Sequence, residues 1–148
     1  MVASVGEEES WTWSERRRHA IERHAAAHAQ QRAAEVEQAR ALVAEFVRDA
    51  GYLGLAVVRL VASPYNGKAK YYTRLRGWYV HPNRSLAVAT DGLFYRLIVP
   101  ASFRARLLGV TPEPDDPPLI VGAGGRDGES IPLRDLLRRR LGAADIWP

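Results

Sequence analysis

Cysteine is absent from this 148-residue chain. That excludes a disulfide framework, a thiol nucleophile and any Cys-ligated metal, and it fits a reducing compartment. Lysine is scarce: of 21 Lys and Arg residues, only Lys68 and Lys70 are lysines. An arginine bias shared with abundant Ala, Gly and Pro is typical of a GC-rich genome, so the total alone says little about function. No apolar run approaches the 18 or more residues of a membrane span. The acidic start, MVASVGEEESWTWS, lacks the apolar stretch of a secretory signal. These absences point to a soluble cytoplasmic protein with no membrane partner. The length suits one domain able to bury its own core.

The most informative shortage is of acids in the middle of the chain. Residues 51–107 contain nine bases, Arg59, Lys68, Lys70, Arg74, Arg76, Arg84, Arg96, Arg104 and Arg106, against one acid, Asp91. The flanking stretches reverse the balance, with seven bases and nine acids in 1–50, and five bases and seven acids in 108–148. Nine of the thirteen aromatic residues share the basic middle. Composition bias does not explain such clustering; a surface for an anionic partner does.

Residues 1–13 read as a flexible acidic tail carrying Trp11 and Trp13, and residues 14–148 as a single domain. Ser14 is a candidate N-cap for a helix over about 15–50, a stretch without Pro or Gly and dominated by Ala, Arg, Glu and Gln. At 1.5 Å per residue it would measure roughly 54 Å, longer than a domain on the order of 35 Å across. Its second half carries a core stripe, Val36, Ala39, Val43, Phe46 and Ala50. Its first half presents Ile21, Ala25, Ala29 and Arg32, which bury little. That half is expected to project beyond the core, break or dock, and its Ala-rich face offers a surface for a homo-oligomer. Gly51 is the expected stop.

Four strand signals follow: Leu53–Ala62, Lys70–Val80, Ser85–Thr90 and Leu93–Val99, separated by Ser63–Gly67, His81–Arg84 and Asp91-Gly92. They predict a four-stranded antiparallel meander. A short helix over Ala101–Leu108, an irregular acidic Thr111–Pro118 segment, a short strand at Leu119–Val121, a glycine-rich loop (Gly122–Gly128) and a last helix complete the reading. That helix is capped by Ser130 and aligns Leu133, Leu136, Leu137 and Leu141. The fold class is α+β: a long N-terminal helix packed on the sheet, with a short C-terminal helix beside it.

Strand alternation divides Lys70–Val80 into two faces. Lys70, Tyr72, Arg74, Arg76 and Trp78 share one; Tyr71, Thr73, Leu75, Gly77 and Tyr79 share the other. In Leu93–Val99 the same rule turns Phe94 and Arg96 outward, and Arg59 lies on the first strand. The candidate partner-binding set is therefore Arg59, Lys70, Tyr72, Arg74, Arg76, Trp78, Phe94 and Arg96. Guanidinium groups pair with phosphates and carboxylates, and aromatic faces stack on unpaired bases. Arg, Tyr and Trp are also the residues that dominate protein interfaces. Three readings follow, in order. The first is a non-catalytic interaction module, an adaptor, chaperone-like or regulatory protein, with a protein partner. The second is a single-stranded nucleic-acid-binding protein using the same face. The third is a small enzyme whose site the sequence does not display. The acids Glu113, Asp115 and Asp116 could instead satisfy the basic face internally.

No other motif reaches that level. His24 and His28 have the i, i+4 spacing of metal ligands, but no carboxylates converge on them, and His19 and His81 have no partner at matching spacing. The Gly122–Gly128 loop lacks the third glycine of a dinucleotide fingerprint and the Gly-Lys-Ser/Thr of a P-loop. Asp115-Asp116, flanked by prolines, reads as a solvated linker. No metal, cofactor or catalytic set is assigned.

Overall fold

The computed structural model describes residues 10–122 and 129–147. Residues 1–9 of the acidic tail and 123–128 of the glycine-rich loop lie outside them. The chain divides into two compact units, one ending at Glu35 and one beginning at Val36.

Helix α1 (Trp13–Leu53) starts in the first unit. Thr12, not Ser14, is its cap. Glu15 N–H donates to Thr12 Oγ1 (3.3 Å) while Thr12 N–H donates to Glu15 Oε2 (2.8 Å). This reciprocal capping box satisfies donors that the first turn cannot bond internally. Trp11 packs on His19 with ring centroids 4.5 Å apart, and Trp13 lies 5.6 Å from the Arg17 guanidinium. Every residue from Ile21 to Glu35 is exposed, as the weak apolar pattern there implies.

In the second unit the core stripe of α1 is buried at Ala39, Val43, Phe46 and Ala50. The helix passes through Gly51 and stops two residues later. Gly54 adopts φ +69°, Gly54 N–H bonds Gly51 C=O (3.2 Å), and Leu55 N–H bonds Ala50 C=O (3.0 Å). That bond pair is a Schellman motif, and it needs the glycine at the left-handed position. Gly54 therefore ends the helix where Gly51 was expected to.

The expected meander becomes a mixed sheet of five strands: β1 (Val58–Pro64), β2 (Tyr71–Tyr79), β3 (Leu86–Ala89), β4 (Phe94–Arg96) and β5 (Ile98–Val99). Their order is β4-β3-β2-β1-β5. The first three pairings are antiparallel, while β1 and β5 run parallel. The expected fourth strand breaks at Leu97 because that residue changes partners. Its N–H donates to Ser85 C=O on the β3 side, and its C=O accepts from Ser63 N–H on the β1 side, both at 2.8 Å. A strand bonded on both sides closes the sheet into a small barrel.

Closure produces two cores. Inside the barrel lie Leu60, Ala62, Tyr71, Ala87, Ala89, Tyr95 and Leu97, with Ala105 closing one end. The alanines leave room for a narrow interior. At Gly77 a Cβ would stand 2.1 Å from Val88 O, so nothing larger fits. Outside the barrel, Trp78, Val80, Leu86, Val88 and Phe94 pack under the second half of α1 and under Leu133, Leu136 and Leu137 of α3 (Leu133–Ala143). The α3 face matches its expected residues. Ser130 does not cap α3, because Ile131–Pro132 forms strand β7 with β6 (Ile120–Val121), and Pro132 occupies the cap position. Helix α2 (Phe103–Leu108) is capped by Ser102, whose Oγ accepts from Ala105 N–H.

Arg140 of α3 is buried, and burial lowers its pKa. Its Nε donates to Tyr79 O (2.8 Å), its Nη1 donates to Ala144 O (2.5 Å), and the guanidinium covers the Trp147 ring at 5.2 Å. This side chain joins α3 to the barrel and folds the C-terminal tryptophan back onto the unit.

Candidate functional site

The expected alternation on β2 holds for the exposed set: Lys70, Tyr72, Arg74 and Arg76 face solvent, and Tyr71 and Thr73 are buried. It survives an irregularity. Arg59 pairs with Arg76 and Val61 with Tyr72, so two steps along β1 match four along β2. An even insertion preserves parity, whereas a single extra residue would turn the following side chains to the other face. The Thr73 hydroxyl holds the bulge, donating to Leu60 O (2.6 Å) and accepting from Leu75 N–H (3.1 Å).

Two expected contact residues are not accessible. Trp78 has the same parity as Arg74 and Arg76 but is only 4 % exposed. Its ring meets Phe46 edge-on at 5.9 Å, and its indole N–H donates to Leu55 O at 3.3 Å. Phe94 is 2 % exposed in the same buried cluster. Parity places both on the outer surface of the barrel, and α1 and α3 cover that part of it. The accessible face is therefore shorter than alternation alone implies.

Arg59 is fixed in place. Its Nε donates to Thr73 O (3.0 Å), and its guanidinium lies 5.3 Å from the centroid of Tyr72. One face of Tyr72 is thereby occupied. Arg96 is claimed internally: Nε donates to Asp115 Oδ2 at 2.6 Å, and the guanidinium lies 6.0 Å from the Phe94 ring centroid. The neighbouring Asp116 binds Arg40 at 2.6 Å, a contact that raises the Arg40 pKa. Asp115 and Asp116 thus serve as two anchors of the proline-rich segment, and Asp115 also bridges to Phe94 through its backbone. Lys70, Arg74 and Arg76 form no ion pair among the described residues.

Of these three bases only Arg74 borders a groove of about 650 Å³ between β2 and α2, lined also by Arg59, Tyr72, Arg106, Leu107 and Leu108 among others. Among the described residues, no carboxylate lines it. The α2 contribution was not legible in the sequence. Leucines in a short helix read as core, yet Ala105 is the only buried residue of α2, and Phe103, Leu107 and Leu108 are 85 %, 82 % and 75 % exposed. The Ser102 cap was legible and marks where the helix starts, but it does not tell which face turns inward.

Among the described residues, no group of three or more His, Cys, Asp and Glu side chains could hold a metal. His24 and His28 are exposed on α1. No helix of the described residues is long and apolar enough to cross a membrane. The chain matches no protein family, no curated protein and no solved structure.

Proposed function

We propose that this chain is a non-catalytic interaction module that binds an acidic protein surface through Arg59, Lys70, Tyr72, Arg74 and Arg76. The observation that carries the reading is the groove beside β2, which has arginines on its walls, no carboxylate among the described residues, and exposed leucines along one side. Mixed cationic and apolar character of this kind suits a protein surface, where Arg and Tyr contribute most of the binding energy and apolar neighbours exclude water.

A single-stranded nucleic acid would use the same arginines and would also need aromatic platforms for its bases. Of the aromatic residues expected on this face, Trp78 and Phe94 are buried and Tyr72 already carries Arg59. That leaves little stacking surface on the sheet face itself and ranks the nucleic-acid reading second. Affinity purification of the full chain from its native host, with and without nuclease, separates the two. Protein partners retained after nuclease support the proposal. Loss of every partner on nuclease treatment refutes it in favour of nucleic acid.

A further inference from the structure

The geometry points to a more specific occupant of this site: a short acidic peptide segment with at least one bulky apolar side chain, laid in the groove between β2 and α2. The inference rests on the interaction-module reading and names the chemistry of the partner.

Two features select it. The first is charge. Arg59 and Arg74 stand on the sheet side and Arg106 on the helix side, with no carboxylate of the described residues lining the groove. An anionic segment between these walls would be flanked by guanidinium groups, each able to bond a carboxylate through two N–H donors. The second is the inverted polarity of α2. Leu107 and Leu108 are left in water beside the arginines, and Phe103 is exposed one turn before Leu107. Exposed apolar side chains grouped on a six-residue helix are unusual for a surface that meets only solvent. A purely polyanionic ligand would leave them uncovered, whereas a segment with an apolar side chain would cover them. Arg106 also lines a second cavity of about 470 Å³, with Lys68, Tyr71 and Phe103. Arg106 is thus common to two cavities, an arrangement suited to an extended segment that reaches both rather than to a flat surface.

The test is selection of the full chain against a random dodecamer peptide library displayed on phage, followed by anisotropy titration of the enriched peptides in synthetic form. The expected result is enrichment of Asp and Glu together with Leu, Ile, Phe or Trp. Affinity should fall about tenfold or more in both Arg106→Glu and Leu107→Ser, the loss expected of a central contact. Both positions are exposed, so unchanged melting curves would show that the fold is intact. No enrichment, enrichment without acids, or equal binding by both variants would overturn the inference. So would binding of a single-stranded oligonucleotide, anionic vesicles or a second copy of the chain that depends on Arg106 where no peptide binds. Arg74→Glu/Arg76→Glu keeps the two levels apart. If that variant loses its protein partners while Arg106→Glu and Leu107→Ser keep them, the groove assignment fails and the interaction-module reading stands.

Discussion

Arg59 and Arg76 stand directly opposite each other across the antiparallel β1–β2 ladder. Like charges in facing positions of a sheet disfavour the fold. Arg59 is held there by Thr73 and Tyr72, and Arg76 has no ion pair among the described residues to offset the repulsion. An anion bound to this face would relieve it. Arg76→Glu should therefore raise stability by about 1 kcal/mol, since it turns a repulsive cross-strand pair into an attractive one. Urea unfolding at low ionic strength measures the gain, which should shrink in 1 M salt as screening shortens the range of the interaction. A loss of stability would contradict this account of the pair.

Trp78 and Tyr72 differ by six positions on one strand and share a parity, yet only Trp78 belongs to the core. Trp78→Ala should cost about 3–5 kcal/mol, the range for emptying a large buried aromatic site. Tyr72→Ala, at an exposed position, should cost well under that. Equal losses in denaturant unfolding would mean that α1 does not cover the Trp78 end of the sheet.

That contrast marks how far the sequence could be read. Period-two alternation assigned Tyr72, Arg74, Arg76 and Trp78 to one face correctly. It carries no information about which stretch of that face a helix covers, because the covering elements are α1 and α3, distant in sequence. The core stripes of α1 and α3 were legible because each is a local pattern of period 3.6. Barrel closure was not, since it depends on Leu97 changing partners between β3 and β1. The Thr12–Glu15 capping box was present as a T-x-x-E pattern beside the more obvious Ser14. The helix end was ambiguous between Gly51 and Gly54 until the bonds to Ala50 and Gly51 decided it.

Tyr95 donates its hydroxyl to Asp91 Oδ2 at 2.8 Å inside the hairpin. Burial first, then the hydrogen bond and charge of Asp91, push its pKa from 10.0 up to about 12. The folded state thus favours the neutral phenol. Its contribution to stability is complete below about pH 10 and is lost as pH rises toward 12. The stability advantage of the wild type over Tyr95→Phe should accordingly hold up to pH 10 and shrink above it. Ultraviolet titration should show one of the six tyrosines ionising late. A constant difference between the two proteins across that window would contradict the assignment.

Asp115 holds Arg96 in an internal ion pair, so under the proposed function it would compete with an acidic partner for that side chain. Their ion pair is about half exposed on both sides, so Asp115→Asn should change stability by about 1 kcal/mol or less. The same substitution releases Arg96 and should strengthen binding of the acidic partner, most clearly at low salt. Weaker binding in that variant would show that Asp115 supports the site instead of competing with it.

The central claim, that the β2 face with Arg74 and Arg76 is where a protein partner binds, is tested most directly by the double charge reversal Arg74→Glu/Arg76→Glu. The measurement is quantitative mass spectrometry of the nuclease-resistant partners retained by the variant and by the wild type. The account predicts that the variant melts no lower than the wild type and loses those partners. A folded variant that retains the same partners at the same abundance would contradict it.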